Sequence, residues 1–376
     1  MAKYEIFLKK NQIIIFFSIF ILFICVFFLF DFLIHSIIEK KRIKKMGIHN
    51  EIITKNPVYA YTFKKNYEVV REHNGKKYKT ITNSLGFKSK KKITIKKELN
   101  KKRIIFIGDS FTEGVTINYE DTFVGLIDEK FANKNIQVLN AGVEGYSTII
   151  YYKKIKHLIE VEKIKFDELV VFIDISDAQD DALKYSLNPS GNVIKQKKII
   201  YKTKKSLLKT IKDFIYNNTY FTYNILNFAN DTILNLKFKG NTWREVYDVS
   251  ATPIDKWTID DALYDDYGKK GVSLMIKYMN ELKKITDKYN ITLTVAVYPW
   301  ISQIWYEDLD SKHVKIWREW TKNNDVKFIN FFPLFVKKNI SQKEKIDIFK
   351  LYFIPGDVHF NEYGNKIIAD YFFIKY

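Results

Sequence analysis

From Arg103 onward, the chain alternates short apolar runs with longer segments whose apolar residues recur every three or four positions. Short apolar runs are typical of buried strands, and the longer segments are typical of amphipathic helices. The predicted strands are RIIFIG (103–108), IQVLNAG (136–142), DELVVFIDIS (167–176), ITLTVAVYP (291–299) and KFINFFP (327–333). The predicted helices are YEDTFVGLIDEKFAN (119–133), STIIYYKKIKHLIEV (147–161), 271–289, SKHVKIWREWTKN (311–323) and a last helix from about Glu362.

Strands separated by helices of this length predict an α/β fold, with a mostly parallel sheet and helices on both faces in a flavodoxin-like three-layer arrangement. Ligands of such sheets bind beyond the carboxyl ends of the strands. Ser110, Gly145, the DISDAQDD turn (174–181) and the Tyr298–Trp300 turn each follow a predicted strand. We therefore expect these four turns to meet at one edge of the sheet and to form one site.

Near the amino end, the pattern changes to an unbroken apolar run, IIIFFSIFILFICVFFLF (13–30), in which Ser18 is the one polar side chain. Continued to residue 34, the run is long enough to cross a hydrocarbon core of about 30 Å. No small-residue cleavage site follows it. We therefore expect a short tail at 1–12 and a retained transmembrane signal anchor at 13–34, rather than a cleaved signal peptide.

The orientation of this span stays open. The cationic residues before it are Lys3, Lys9 and Lys10, and those after it are Lys40, Lys41, Arg42, Lys44 and Lys45. This excess favours a cytoplasmic position for the large domain, but long domains can translocate against such a bias. We expect a single-pass membrane protein whose large domain is extracytoplasmic.

Two further regions lack the strand–helix alternation. Residues 35–102 are rich in lysine and predict a basic juxtamembrane region that could lie against anionic lipid headgroups or be a solvated connection. Residues of about 185–265 interrupt the alternation and predict an inserted subdomain in a domain that spans 103–376.

The net charge of +19 is spread over the whole chain. It is typical of a solvated surface, with attraction to anionic lipid or acidic polymer as the alternative. The sequence contains no zinc-finger spacing and no aromatic RNA-binding motif, so we expect no nucleic-acid partner. The single cysteine, Cys25, excludes a disulfide within the chain.

Ser110 is a candidate nucleophile, because it follows a buried strand at the point where a helix can begin. Serine hydrolysis also needs a base and an acid that orients the base. His359 is two residues after Asp357 in the turn GDVHFNEYG (356–364), so one carboxylate can lie beside one imidazole nitrogen. The alternative is a surface turn in which Asp357 precedes the last helix.

Three sequence blocks, FIGDSFTEG (106–114), LNAGVEGYS (139–147) and GDVHFNEYG (356–364), occur in the order and spacing of the SGNH (GDSL) hydrolases, and the chain resembles this family over about 103–182 and 271–376. These proteins are α/β esterases and acyltransferases. The resemblance implies that Ser110 is the nucleophile, His359 the base and Asp357 its orienting acid. It also implies that the backbone N–H groups of Ser110 and Gly145 bind the oxyanion, and it implies no cofactor.

The chain departs from the family in the third block. The family has an asparagine oxyanion donor after the third strand, where this sequence has Ser176 followed by Asp177. A serine hydroxyl can donate one hydrogen bond, so Ser176 is a candidate third donor; otherwise another residue donates, two donors suffice, or activity is weak. The nearby aspartates have no histidine beside them, and we expect no metal site.

Tyr298 and Trp300 follow the fourth strand, where aromatic rings could stack on a sugar or pack at a helix start. A single anchor on an SGNH-like domain resembles envelope-polysaccharide enzymes. We expect a membrane-anchored serine esterase or O-acyltransferase that acts on acylated, O-acetylated glycans of the cell envelope. The alternatives are a lipolytic acylhydrolase at the membrane surface and an inactive glycan-binding scaffold.

Overall fold

The computed structural model describes residues 2–73, 76–98, 100–196, 207–237 and 254–376 of the chain. The helices are α1 Ala2–His49, α2 Ser110–Glu113, α3 Phe123–Phe131, α4 Thr148–Glu160, α5 Asp177–Gln179, α6 Leu207–Asn218, α7 Phe221–Lys237, α8 Asp261–Leu263, α9 Lys269–Lys288, α10 Ile301–Trp305, α11 Lys312–Asn323, α12 Phe332–Phe335, α13 Gln342–Tyr352 and α14 Glu362–Lys375. The strands are β1 Ile53–Asn56, β2 Ala60–Phe63, β3 Glu68–His73, β4 Lys76–Ile81, β5 Lys102–Ile107, β6 Ile136–Asn140, β7 Glu168–Ile173, β8 Tyr185–Leu187, β9 Val193–Lys195, β10 Thr292–Val297 and β11 Lys327–Asn330.

The chain divides into two compact units. One unit comprises 1–50 and 200–242, and the other comprises 51–199 and 243–376. We call the second unit the α/β body. Residues 197–206 and 238–253 of the predicted 185–265 insertion lie outside the described residues.

The α/β body is built on a five-stranded parallel sheet with the strand order β11–β10–β7–β5–β6. Every residue of β7 is buried, and β5 is buried after its first residue, because helices cover both faces of the sheet. Helix α3 packs against α14, and α4 packs against α9. The predicted three-layer α/β fold is therefore confirmed.

Helix α1 contains the predicted anchor. Its segment Gln12–Lys40 contains an 18-residue window with a mean hydropathy of 3.3 and is long and apolar enough to cross a membrane, which makes it a candidate span by length and composition. The helix runs without a break from Ala2 to His49, so it extends beyond both ends of the predicted 13–34 segment.

Residues 51–102 correct the prediction of a basic connecting region. They form the antiparallel hairpins β1–β2 and β3–β4, which belong to the α/β body. Phe63 and Phe87 are buried in the main core, and the Lys88 ammonium donates hydrogen bonds to the carbonyl oxygens of Gly114 (2.7 Å) and Ile117 (2.8 Å). The high lysine content led to the wrong prediction for 51–102, because Arg71 and Lys88 are buried with hydrogen-bond partners while most of the other cations of this segment remain on the surface.

The predicted insertion is also divided differently. The hairpin β8–β9 and residues 254–265 belong to the α/β body, where the buried Trp257 indole donates to the carbonyl oxygen of Ile175 at 2.8 Å. Helices α6 and α7 belong to the same unit as α1. The region of about 185–265 is thus not one separate subdomain.

Candidate active site

The turn that carries Ser110 connects β5 to the short helix α2. The Asp109 carboxylate accepts a hydrogen bond from the backbone N–H of Phe111 at 3.0 Å and so caps this helix. Gly108 is required here, because a Cβ atom at this position would lie 2.1 Å from the Thr112 hydroxyl oxygen and 2.9 Å from the Phe172 carbonyl oxygen. The turn thus presents Ser110 at the carboxyl end of a central strand.

His359 and Asp357 reach Ser110 from the other end of the chain. The His359 Nε2 atom is 2.8 Å from the Ser110 hydroxyl oxygen, and His359 Nδ1 is 2.5 Å from an oxygen of Asp357. The same Asp357 oxygen accepts the backbone N–H of His359 at 3.1 Å. When Nδ1 keeps its proton and donates a hydrogen bond to Asp357, Nε2 is free to accept the hydroxyl proton of Ser110.

The turn that contains His359 is held at both ends. Phe353 and Phe360 pair across its base, and the Ile354 N–H donates to the His359 carbonyl oxygen at 3.0 Å. Gly356 adopts φ +71°, a conformation that favours glycine. Asn361 caps α14 by accepting the Gly364 N–H at 3.0 Å. These contacts fix the direction of the imidazole before any substrate binds.

Two opposing effects act on the pKa of His359. Burial alone would lower this pKa, since it penalises the charged imidazolium. The hydrogen bond and the negative charge of Asp357 act in the opposite direction, and the net result is a pKa above its usual value. An imidazole that binds a proton more strongly is a stronger base toward a hydroxyl group.

Gly145 lies in the loop after β6, which we call the β6 loop (141–147). Its φ of +73° lies in the left-handed region that favours glycine. Within the described part of the chain, no hydrogen-bond acceptor contacts the backbone N–H of Gly145 or that of Ser110. Both groups are therefore available as donors to an oxyanion.

The two peptides on either side of Gly145 are each held by a tyrosine hydroxyl. The Tyr61 hydroxyl donates to the Glu144 carbonyl oxygen and the Tyr185 hydroxyl to the Gly145 carbonyl oxygen, both at 2.7 Å. The C=O and N–H of a trans peptide point in opposite directions. The hydrogen bond from Tyr61 therefore sets the direction of the Gly145 N–H.

The helix that begins at Ser110 also holds the β6 loop. Glu113 is fully buried, and its carboxylate accepts the Glu144 N–H at 2.7 Å and the Arg71 guanidinium at 2.5 Å. The Arg71 guanidinium also lies 3.4 Å from the Glu144 carboxylate. Sequence reasoning missed Tyr61, Arg71 and Glu113. For Tyr61 and Arg71 the available signal was the aromatic and β-branched content of 57–87, which the lysines of 35–102 obscured; Glu113 had no local signal.

The turn after β7 contains the expected Ser176. The Asp174 carboxylate accepts the Ser176 N–H at 2.7 Å and the Trp300 indole N–H at 2.7 Å. Asp177 accepts the Tyr151 hydroxyl at 3.1 Å. The Ser176 hydroxyl has no hydrogen-bond partner among the described residues and remains available as a donor.

The other aspartates of this turn have structural partners. Asp181 accepts the Ser147 hydroxyl at 2.6 Å and also the Thr148 hydroxyl, and Asp180 forms an ion pair with Lys184 at 2.6 Å. Burial raises the pKa of Asp181 to about 7. Within the described ranges, no group of three or more histidine, cysteine, aspartate or glutamate side chains is arranged to hold a metal ion.

Tyr298 and Trp300 do not lie where a sugar could stack on them, which corrects the predicted substrate-binding role. Tyr298 is 1% exposed and Trp300 is 8% exposed, because both rings pack against Phe111 beneath the turn that carries Ser110. The Tyr298 hydroxyl donates to Asp109 at 3.1 Å. These aromatic side chains support the turn that carries Ser110 from below.

Asp109 lies between Ser110 and this aromatic layer. Its second carboxylate oxygen is 3.3 Å from the Ser110 hydroxyl oxygen. Burial and the nearby charge of Asp174 raise the pKa of Asp109 well above its usual value. The carboxyl group of Asp109 is therefore suited to cap the helix rather than to supply charge.

The comparisons with known proteins gave structural matches alone. No protein-family model and no curated protein sequence matches the chain. The psychrotrophic esterase EstA from Pseudoalteromonas sp. matches with 12% identity and a TM-score of 0.37, covering 73% of this chain and 96% of that one. A GDSL-like lipase from Bacteroides thetaiotaomicron matches with 12% identity and a TM-score of 0.36, covering 73% of this chain and 88% of that one.

An acetyl-xylooligosaccharide esterase from Geobacillus matches with 12% identity and a TM-score of 0.35, covering 74% of this chain and 96% of that one. Identities and TM-scores of this size establish neither a substrate nor a mechanism.

Proposed function

We propose that this chain is a membrane-anchored serine esterase or O-acyltransferase of the SGNH type. Ser110 is the nucleophile, His359 is the general base and Asp357 orients His359. The observation that carries this proposal is the continuous hydrogen-bonded series from Asp357 through His359 to Ser110, which joins groups 249 positions apart in the sequence.

The proposed reaction has two stages. The Ser110 hydroxyl oxygen attacks the ester carbonyl while His359 Nε2 takes its proton, and the negative oxygen of the tetrahedral intermediate binds the N–H groups of Ser110 and Gly145. The protonated His359 then gives its proton to the departing alcohol, which leaves an acyl-enzyme on Ser110. Water or a sugar hydroxyl, deprotonated by the same imidazole, attacks the acyl-enzyme and restores Ser110.

The choice between hydrolysis and transfer depends on which acceptor reaches the acyl-enzyme. The proposed substrate class, acylated glycan of the cell envelope, depends on the resemblance of an anchored SGNH-like chain to envelope-polysaccharide enzymes. The candidate span in α1 supports action close to a membrane. A lipid substrate is the second candidate, since an anchored chain is confined to a membrane that contains acyl esters.

The test uses the full chain in detergent micelles. We expect the parent to hydrolyse p-nitrophenyl acetate and to form a covalent adduct with a fluorophosphonate at Ser110, located by mass spectrometry. Ser110→Ala should lower kcat by about 10⁴-fold or more and abolish the adduct. Ser273→Ala, at an exposed position of α9, serves as the control.

The outcomes separate the alternatives. Equal rates for the parent and Ser110→Ala would remove Ser110 from the mechanism. A strong preference for p-nitrophenyl palmitate over the acetate would favour a lipolytic acylhydrolase. Glycan binding without any turnover by the parent would favour an inactive scaffold.

The third oxyanion donor has its own test. Since the Ser176 hydroxyl is available as a donor, we expect Ser176→Ala to lower kcat by about 10²-fold with little change in KM, which is the lower end of the effect of one lost donor. Ser176→Asn should restore most of this loss, because an amide also donates. An unchanged kcat in Ser176→Ala would assign the oxyanion to the two backbone N–H groups alone.

A further inference from the structure

The apolar helix α1 contains one buried carboxylate. The apolar side chains on both sides of Asp31 are exposed, including Phe30 at 54% and Phe32 at 52%, whereas Asp31 is fully buried. Its carboxylate accepts the backbone N–H groups of Tyr220 (2.7 Å), Phe221 (2.6 Å) and Thr222 (3.0 Å) and the Thr222 hydroxyl (2.6 Å). Asp31 therefore caps the first turn of α7, although the two lie about 190 positions apart in the sequence.

The position of this contact along α1 is informative. With a rise of about 1.5 Å per residue, Asp31 lies about 28 Å along the helix axis from Gln12, where the candidate span begins. A hydrocarbon core about 30 Å thick that begins at Gln12 therefore ends close to Asp31, within a candidate span that continues to Lys40. A carboxylate at this depth is costly unless it is paired, and the N–H groups and helix dipole of α7 supply that pairing.

The hairpin formed by α6 and α7, residues 207–237, exposes many large apolar and aromatic side chains around this contact. Phe221 stacks on Phe30 of α1, with ring centroids 6.2 Å apart and ring planes 7° from parallel. The exposed large apolar and aromatic side chains of the hairpin are Ile211 at 46%, Phe214 at 64%, Tyr216 at 50%, Tyr220 at 37%, Phe221 at 38%, Ile225 at 60%, Leu226 at 50% and Phe228 at 74%. This apolar surface is continuous with that of the candidate span.

We propose that the α6–α7 hairpin is a second membrane-contacting element, whose tip at Thr219–Phe221 inserts at the boundary between lipid headgroups and acyl chains, where the Asp31 cap joins it to α1. Two observations favour lipid as the occupant. The exposed set combines aliphatic residues and phenylalanines with two tyrosines, the amphipathic side chains that concentrate at membrane interfaces. The hairpin also contacts α1 at the depth where the apolar run ends.

The insertion test uses full-length protein in which Cys25, the one cysteine of the chain, is replaced by serine. Single cysteines at Phe214→Cys, Phe228→Cys, Phe20→Cys and Tyr363→Cys carry the fluorophore NBD, and the proteins are reconstituted into vesicles of phosphatidylcholine and phosphatidylglycerol with or without brominated acyl chains. Phe20 lies in the apolar run, and Tyr363, 65% exposed on α14, is the matched aromatic control in the α/β body.

We expect bromolipid to quench the labels at 214, 228 and 20 at least threefold more than the label at 363. Quenching at 214 and 228 that is no greater than at 363 would overturn the proposal, whether or not position 20 is quenched. Energy transfer between labelled copies at 228 that rises with protein density, without bromolipid quenching, would assign the surface to a second copy and also overturn it. Esterase activity does not enter this readout, so its failure is distinguishable from failure of the proposed function.

The role of the cap is tested in the Phe228→Cys and Phe20→Cys backgrounds. Asp31→Ala removes every acceptor from the first turn of α7, and we expect quenching at 228 to fall by at least half while quenching at 20 stays unchanged. Asp31→Asn keeps one side-chain oxygen that can cap the helix and should restore most of the quenching at 228. Equal quenching at 228 in the parent and Asp31→Ala would overturn the assignment of Asp31 as the link between α1 and the hairpin.

Discussion

Two aspartates approach the nucleophile region, Asp109 from the turn after β5 and Asp357 from the turn before α14. Asp357 places one oxygen 2.5 Å from His359 Nδ1, and its side chain is 8% exposed. Asp109 accepts the Phe111 N–H at 3.0 Å and the Tyr298 hydroxyl at 3.1 Å. The two residues share a side-chain type and closeness to the site, but one faces an imidazole and the other faces a helix start and a phenol.

This difference assigns different roles to chemically identical groups. The hydrogen bond and the charge of Asp357 raise the pKa of His359 and would stabilise the imidazolium of the proposed reaction. Burial and the neighbouring Asp174 raise the pKa of Asp109, which lowers its tendency to carry charge at all. The same isosteric substitution at the two positions should therefore have very different consequences.

The largest effect is expected for Asp357→Asn. Asparagine removes the negative charge that would stabilise the imidazolium, and its amide N–H can donate to Nδ1 and favour the wrong imidazole tautomer, so we expect kcat on p-nitrophenyl acetate to fall by about 10⁴-fold. The pH dependence gives a second readout. His359 must be neutral to act as a base, so activity is lost as the pH falls through its pKa.

Because Asp357 raises the pKa of His359, its removal should move the acid limb of kcat/KM to lower pH. In the parent, this limb should lie above about 6.5, the usual pKa of a free imidazole. An unmoved acid limb in Asp357→Asn would show that Asp357 does not set the charge state of the base.

A much smaller effect is expected for Asp109→Asn. The asparagine amide oxygen can still accept from Phe111 and Tyr298, so the cap is kept, and we expect kcat to change by less than about tenfold. The acid limb should shift by less than in Asp357→Asn, since Asp357 has the greater effect on His359. A loss of kcat as large as that of Asp357→Asn would mean that both carboxylates take part in the reaction, and would contradict a purely structural role for Asp109.

The smallest effect on activity is expected for Tyr298→Phe, which removes the hydroxyl that donates to Asp109. A lost buried hydrogen bond costs about 1 kcal/mol, so thermal unfolding should begin roughly 2–4 °C lower with kcat nearly unchanged. Tyr289→Phe, at an exposed position, is the matched control. If kcat falls while the unfolding temperature stays constant, Tyr298 contributes to the reaction itself and not to the stability of the turn that carries Ser110.

The strands of the sheet could be predicted because their residues are buried on both faces. The observed β5, β7 and β10 lie within or almost within the predicted segments, differing by one residue at most at the amino end of β5. A continuous apolar run bounded by turns needs no distant partner to be recognised. The order of the strands in the sheet has no comparable signal in the local sequence. The burial of Arg71 and Lys88 also could not be predicted, because they lie in a segment rich in exposed lysines.

In the candidate site, too, some residues have a local sequence signal and others do not. Ser110, Gly145, Asp357 and His359 could be named in advance, because glycine-rich turns and short motifs leave a local pattern. Tyr61 and Glu113 could not, since their partners in the β6 loop are distant in the sequence. The sequence predicts a substrate-binding role for Tyr298 and Trp300, and this is wrong because a sequence pattern does not show on which side of a turn an aromatic ring lies.

The amino-acid sequence by itself determined the apolar run of α1, the alternation of strands and helices, and the short motifs that contain Ser110, Gly145, Asp357 and His359, because each depends on neighbouring positions. The tertiary structure alone decided that the hairpins of 51–102 belong to the α/β body, that Tyr61 orients the peptide before Gly145, and that Asp31 caps α7. The physical reason is that burial, hydrogen bonding and the pKa of a side chain depend on groups brought near it by folding, and those groups can lie anywhere in the chain.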